Sequence, residues 1–223
     1  MKKILFSFAV IAGLAACNNN APEADKAATG EQEAAATVEG TTYALDTTSL
    51  ITWYATKANG AHTGIFKVRE GSVAEKDGNL TGGSFTIDVT SIANQDLVSD
   101  TANKNKLEGH LKSPDFFDIA KYPTAKFEIT AVEPFKYDSV ANKDLVMKDA
   151  THTIKGNLTL KDSTKNISFP AKVALNGGQL TALADFNIDR TDWGLNYKGP
   201  NNPADWFIRK NVNLKLDIKA SKK

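Results

Sequence analysis

Val212-Asn213-Leu214-Lys215-Leu216-Asp217-Ile218-Lys219 puts an apolar side chain at every second position and a polar one between. Successive side chains of a strand point to opposite faces, so the run predicts a strand with one dry and one wet face. The same alternation recurs upstream. Phe85, Ile87 and Val89 form one dry face, and Phe127, Ile129 and Ala131 another. Ile154, Gly156, Leu158 and Leu160 follow, then Ile167, Phe169, Ala171, Val173 and Leu175, then Leu180, Ala182, Ala184, Phe186 and Ile188. Residues 51–56 and 64–69 supply two earlier strands. Asp77-Gly78-Asn79, Asp162-Ser163 and Asn176-Gly177-Gly178 are turn signals, and Gly82-Gly83 suits a turn or bulge. The chain is therefore all-β, with about eight antiparallel strands joined as hairpins. A one-sided sheet must cover its dry face, and with no long helix available it does so as a sandwich or a closed barrel. A last strand this long favours the barrel, because closure removes the exposed edge. Eight strands make a barrel just wide enough to be filled by side chains or to hold one slender ligand.

One helical signal interrupts the strands. Residues 94–111 are polar, with Leu97, Val98, Leu107 and Leu111 as their few apolar points. Ser113-Pro114-Asp115 then has the composition of a helix start: a serine cap, a proline at the first position and an acid at the positive dipole end. A short helix carrying Phe116, Phe117 and Ile119 is expected there, across one barrel mouth.

The N-terminus has a different composition. Lys2-Lys3 and the apolar stretch from Ile4 to Ala16 have the layout of a secretory signal peptide, and are too short to span a bilayer. Leu14-Ala15-Ala16-Cys17 resembles the lipobox of bacterial lipoproteins, which implies cleavage before Cys17 and lipid on its thiol. Cys17 is the only cysteine of the chain, so no disulfide partner competes for it. Residues 18–40 hold five acids, one base and one large apolar residue, Val38. That composition cannot repay its ordering entropy, so a flexible tether is expected. The organisation expected is a signal peptide over 1–16, a lipidated tether over 17–40 and one barrel domain over 41–223.

Charge excludes some partners. The chain carries +1, and loss of Lys2 and Lys3 leaves −1. Residues 18–40 hold −4 of this, so the barrel is +3, too mild and too scattered for a nucleic-acid surface. His62, His110 and His152 have no metal-ligand spacing, and no GxSxG or glycine-rich phosphate loop occurs. No metal, cofactor or catalytic residue is expected. Lys57, Lys67 and Arg69 read as solvated outward residues, and Trp206 as packing on the barrel wall. In Asp189-Arg190-Thr191-Asp192-Trp193, Arg190 suits an ion pair or a ligand head group, and Trp193 caps the core or lines a cavity.

Several stretches resemble one family. Gly109-His-Leu-Lys-Ser-Pro-Asp-Phe-Phe-Asp-Ile-Ala-Lys-Tyr-Pro-Thr-Ala-Lys-Phe-Glu-Ile129 is similar to a signature of the YceI-like family of exported, lipocalin-like barrels. So are residues 154–173, residues 186–195 and the final strand, and the resemblance runs from about Tyr43 to Ala220. Asp162 stands where the family pattern usually has glycine. The resemblance implies an extended barrel around a long apolar cavity, with an isoprenoid-type lipid or a quinone as ligand, its prenyl chain in the barrel and a quinone or phosphate head near a mouth. Phe85, Phe116, Phe117, Phe127, Ile129, Phe169, Phe186 and Trp193 are then the candidate cavity residues, and His110, Lys112 and Arg190 the candidate head-group contacts. A packed core without a cavity remains the alternative reading for these rings. The function expected is binding, carrying or sequestering such a lipid at the bacterial envelope, anchored through Cys17 on the periplasmic side of the outer membrane. A lipid-acting enzyme using His110, a structural or stress module with a filled barrel, and pairing of two barrels stay open.

Overall fold

The computed structural model describes residues 21–199 and 207–223. The signal peptide, Cys17 and Trp206 lie outside the described residues. In chain order the elements are β1 (Asp25–Lys26), β2 (Ala28–Gly30), β3 (Thr41–Leu45), β4 (Leu50–Lys57), β5 (Gly60–Lys76), β6 (Asn79–Asn94), α1 (Thr101–Lys112), β7 (Thr124–Pro134), β8 (His152–Leu160), β9 (Ser163–Asn176), β10 (Gln179–Asp189), a 3-10 turn (Arg190–Trp193) and β11 (Ile208–Lys222).

β5 to β11 pair in sequence order, each antiparallel to the next. β3 and β4 together close the ring: both pair with β11 on one side and with β5 on the other. The two are one wall strand broken at residues 46–49, where Asp46 Oδ1 accepts from the backbone of Thr48. The result is the expected closed antiparallel barrel of eight strand positions. Pleat and register follow the alternation. Phe85 faces Phe127 across β6–β7, and Leu158 faces Phe127 across β7–β8. A bulge between Ile129 and Ala131 shifts β7 by one residue, so that Val132 packs against the core beyond it.

The barrel has two unlike halves. Toward the β5–β6 and β9–β10 turns, Val73, Leu80, Val173, Leu180, Ile218 and Ala220 fill the interior. Toward α1 the interior is hollow. Val212, Leu214 and Leu216 share an inward face with Ile218, yet only Ile218 is fully buried. The other three face the cavity.

Two expectations differ from the structure. The helix precedes Ser113 rather than following it: Asp100 caps α1, accepting from Asn103 N–H at 3.1 Å, and Ser113 is the last cap, in extended conformation. A residue before proline is pushed out of the α region, so Pro114 ends the helix that its composition seemed to begin. Residues 113–119 are turns that seat Phe116 and Phe117.

The expected tether over 18–40 is, over its described part, a strap bound to the wall. β9 and β10 are paired only from Lys172–Leu183 to their shared turn. Thr151 N–H donates to the Ala171 carbonyl, and Val173 N–H to Thr151 Oγ1, so odd residues of β9 present their backbone toward β8. Pro170 therefore faces β10 and has no N–H to give it, and the ladder stops there. The strap fills the gap. β1 pairs with Phe186 and Asn187 of β10, and β2 with Asn166, Ile167 and Ser168 of β9. Ala27, between them, is buried in the core. Outward asparagines hold the rest: Asn157 exchanges hydrogen bonds with the backbone of Glu33, and Asn187 donates to the Pro22 and Ala24 carbonyls. Amide side chains that mimic a partner strand supply what the segment's own composition lacks.

Candidate functional site: an apolar cavity with a polar mouth

The hollow half encloses a cavity of about 720 Å³, within the range of roughly 300–1,000 Å³ typical of small-molecule sites. Its floor is a belt of four phenylalanines. Ring centroids are 5.4 Å apart for Phe85–Phe127, 5.9 Å for Phe127–Phe169 and 4.1 Å for the stacked pair Phe169–Phe186. The belt crosses β8 at Gly156. A Cβ there would lie 2.3 Å from Phe127 Cζ, so the missing side chain is what lets Phe127 reach over β8 toward Phe169. Ile51, Trp53, Phe66, Ile87, Ile167, Ile188, Leu214 and Leu216 complete the walls.

The mouth is built from the β4–β5 hairpin, α1, the turn after α1 and the segment before β11. Phe116, His110 and Tyr197 make a three-ring lid, with centroids 4.7–5.2 Å apart. Phe117 packs edge-on to Phe66 at 5.5 Å. The polar lining residues are Thr56, Lys57, Asn59, His62, Lys106, His110, Arg190, Tyr197 and Lys198.

Both histidines of the mouth are held by carboxylates. His110 Nε2 lies 2.9 Å from Asp115, and His62 Nδ1 lies 2.8 Å from Asp96. His62 Nε2 lies 3.4 Å from Lys57 Nζ. Burial disfavours the Asp96 carboxylate, but hydrogen bonds from Thr63 N–H, His62 and Asn94 outweigh it and hold its pKa below the ordinary value. His152 lies at the opposite end of the barrel, at the start of β8.

Six of the expected cavity residues line it: Phe85, Phe116, Phe117, Phe127, Phe169 and Phe186. Ile129 and Trp193 are buried but are not part of its wall. Ile129 lies below the belt in the packed half, and Trp193 Nε1–H donates to the Leu158 carbonyl at 2.8 Å, tying the turn after β10 to β8. Among the expected head-group contacts His110 is at the mouth. Lys112, at the helix end, does not line it. Arg190 does, but its guanidinium is already engaged: it donates to the carbonyls of Leu195, Tyr197, Ile208 and Arg209, clamping the mouth segment to β11. Its aspartate neighbour Asp189 pairs with Lys210 instead. Lys57 was expected to face outward and lines the mouth. Alternation could have placed it, since Ile51, Trp53, Ala55 and Lys57 share one parity and one face. Tyr197, Lys198 and Lys106 carried no signal in the sequence, because loop residues and a polar helix have no periodic face toward a barrel.

A YceI-like domain model matches residues 28–220. The chain belongs to the YceI-like family. Its match begins inside the strap, at β2. Relatives include a UPF0312 protein of Pseudomonas putida, 33% identical over 140 residues, which cover 58% of this chain and 64% of that protein. A UPF0312 protein of Pseudomonas aeruginosa is 36% identical over 102 residues, 43% of this chain and 46% of its own length. The alignments thus span about half to two thirds of these relatives. A Vibrio cholerae UPF0312 protein is 30% identical over 68% of this chain and 82% of its own length. Two solved structures share the fold. Burkholderia cenocepacia BcnA superposes with TM-score 0.60 at 21% identity, over 79% of this chain and 99% of its own. A polyisoprenoid-binding domain from Saccharophagus degradans superposes with TM-score 0.58 at 17% identity, over 81% and 98%.

Proposed function

We propose that this YceI-like protein binds the tail of an isoprenoid-type lipid in its barrel and carries or sequesters it without changing it. The observation that carries the reading is the cavity: an apolar sleeve floored by four phenylalanine rings and open toward one polar mouth. Burying apolar tail surface there is worth roughly 25 cal/mol per Å² before ordering costs. A preformed wall of strands keeps those costs low. The Saccharophagus fold relative, described as polyisoprenoid-binding, supports the same ligand class.

The envelope setting belongs to the proposal too. Cys17 is the site of lipid attachment, on a protein facing the periplasm from the outer membrane. Pro22 is already fastened to Asn187, five residues beyond Cys17. Five extended residues reach at most about 18 Å. The anchor therefore holds the barrel against the membrane surface, close to where an apolar ligand resides, rather than at the end of a long leash.

A second reading is an enzyme acting on the bound lipid, favoured by the His110–Asp115 and His62–Asp96 pairs at the mouth. Among the described residues no serine or threonine hydroxyl is hydrogen-bonded to either ring, so neither pair resembles an activated nucleophile. Native mass spectrometry of the full chain taken from its own envelope, followed by solvent extraction, tests the first reading. A stoichiometric adduct of prenyl-chain mass is expected. A protein that arrives apo and stays apo when offered prenyl quinones and prenyl phosphates overturns it; release of a shortened or isomerised lipid selects the enzyme.

A further inference from the structure

The barrel wall is unzipped between β9 and β10, and the cavity lies directly behind the slit. The two strands pair from Lys172–Leu183 down to their shared turn, over the packed half of the interior. Beyond Pro170 no ladder pair joins them. The inward residues of that stretch, Ile167 and Phe169 on β9 and Phe186 and Ile188 on β10, all line the cavity. Each strand keeps its other neighbour along the slit: β9 pairs with β8 as far as Ser163, and β10 with β11 as far as Asp189. The two edges of the slit therefore stand without help from what lies between them.

Between them lies the strap, and its hold is slight. β1 pairs through two residues and β2 through three. Asp25 accepts from the Val146 and Met147 N–H groups, both at 2.9 Å. Of the side chains from residue 21 to residue 40, Ala27 alone is buried, so a single methyl group seals the core there. On the outer side, residues 26–31 with Lys165, Asp189 and Asp192 line a polar hollow of about 680 Å³. Between this hollow and the cavity stand Ala27 and the stacked rings of Phe169 and Phe186, one ring from each edge of the slit.

Resting on the reading of an anchored, lipid-binding barrel, we propose that the strap is a side door. Residues 22–31 leave the slit, the stacked rings part, and the apolar tail passes sideways through the wall between cavity and membrane. Segments held by few backbone bonds and little buried apolar surface open locally, without global unfolding. The strap leads back to Cys17 within five residues of Pro22, so the slit is on the side of the barrel that the anchor keeps nearest the bilayer. A tail that enters through the polar mouth exposes its apolar surface to water on the way. Through the slit it moves from acyl chains to the phenylalanine belt. A door alters rates and not affinity, because it lowers the barrier in both directions and leaves the bound state as it was.

Ala28 and Ser168 are direct partners where the strap meets β9. In the full chain carrying Cys17→Ser, the pair Ala28→Cys/Ser168→Cys supplies the only thiols, and their disulfide locks the strap to the wall. Stopped-flow tryptophan quenching reads uptake of menaquinone-4 from phosphatidylcholine vesicles and its return to empty ones. The oxidised lock is expected to slow both at least about tenfold, the effect of a barrier raised by about 1.4 kcal/mol, with Kd unchanged and the rates restored by reduction. A second lock elsewhere in the wall, Lys126→Cys/Thr159→Cys across β7–β8, should alter neither rate. Asp25→Ala, which removes a fastening of the strap, should speed both. Equal rates in the oxidised and reduced strap lock overturn the side door and leave the mouth as the route. So do equal slowing by the β7–β8 lock, and a strap lock that changes Kd without slowing transfer. A chain that takes up no menaquinone-4 in either state overturns the lipid-binding reading itself, and the door with it.

Discussion

Ala27 donates its backbone N–H to the Asn187 carbonyl at 2.9 Å, and its side chain is 1% exposed. A residue of the N-terminal segment thus occupies a place in the barrel wall, in the gap that Pro170 leaves between β9 and β10. Ala27→Glu puts a carboxylate into that gap. The expected cost is about 2–4 kcal/mol in urea unfolding, the price of a buried, unpaired polar group. Ala28→Glu, one residue on and exposed, should change stability by less than about 0.5 kcal/mol. Equal effects of the two, in either direction, would show that the strap is not part of the folded wall.

Arg190 tests a different fastening. Its guanidinium serves four backbone carbonyls from two segments of the chain, and burial lowers its pKa against the opposing influence of Asp189. Arg190→Lys keeps the charge but cannot fork, so most of those carbonyls lose their donor. Hydrogen bonds from charged donors are worth about 1.5–3 kcal/mol each, and an overall loss of about 3 kcal/mol is expected once water replaces some of them. Because Tyr197 sits on the same segment, a bound ligand should also leave faster from the variant. An Arg190→Lys protein with wild-type unfolding and wild-type off-rate would mean the clamp is dispensable.

What the sequence made legible follows from the physics of strands. Period-two alternation with turn signals is a local property, so the eight wall positions, the belt phenylalanines and the inward face of β11 could be read residue by residue. Ile129 was placed inside correctly but on the wrong side of the belt, because alternation distinguishes in from out and says nothing of depth along the axis; Trp193 lies in the turn after β10, outside any alternation, and is held by the Leu158 carbonyl. Arg190 was singled out, yet its partners are carbonyls of a segment whose path no periodicity encodes. The strap was misread for a related reason. Its order comes from Asn157 and Asn187 on faces that read as solvated, and from a missing donor at Pro170 more than a hundred residues away. Asp162, where the family pattern prefers glycine, found its own use by accepting from the Tyr122 hydroxyl at 3.1 Å.

The Asp96 cluster makes a prediction about acid. Asp96 accepts from Thr63 N–H at 2.7 Å, from His62 at 2.8 Å and from Asn94 at 2.6 Å, joining the β4–β5 hairpin to the end of β6. Its folded pKa is lowered despite the opposing desolvation, so on acidification the unfolded chain takes up this proton first. The stability it contributes is complete above the unfolded value, about pH 4, and is lost as pH falls through the lower folded value. Asp96→Asn should therefore be destabilised at neutral pH and show a shallower loss of stability below about pH 4. Parallel stability–pH curves for wild type and variant over that limb would remove Asp96 from the account.

Gly156 and Phe127 compete for one space, and a thermodynamic cycle can show it. A Cβ on residue 156 would lie 2.3 Å from Phe127 Cζ and 2.9 Å from the Glu128 carbonyl oxygen. Gly156→Val must drive the Phe127 ring away from Phe169 and into the cavity. The expected stability cost is about 1–3 kcal/mol, with weaker binding of any tail that reaches the belt. Phe127→Ala alone leaves a void and should cost about 3–5 kcal/mol. In the double variant the valine branches occupy part of that void, so its cost should fall short of the sum of the two by about 1 kcal/mol or more. Costs that add to within about 0.5 kcal/mol would mean that the ring and residue 156 do not share the space, and that something other than the bare Gly156 backbone brings the phenylalanine belt across β8.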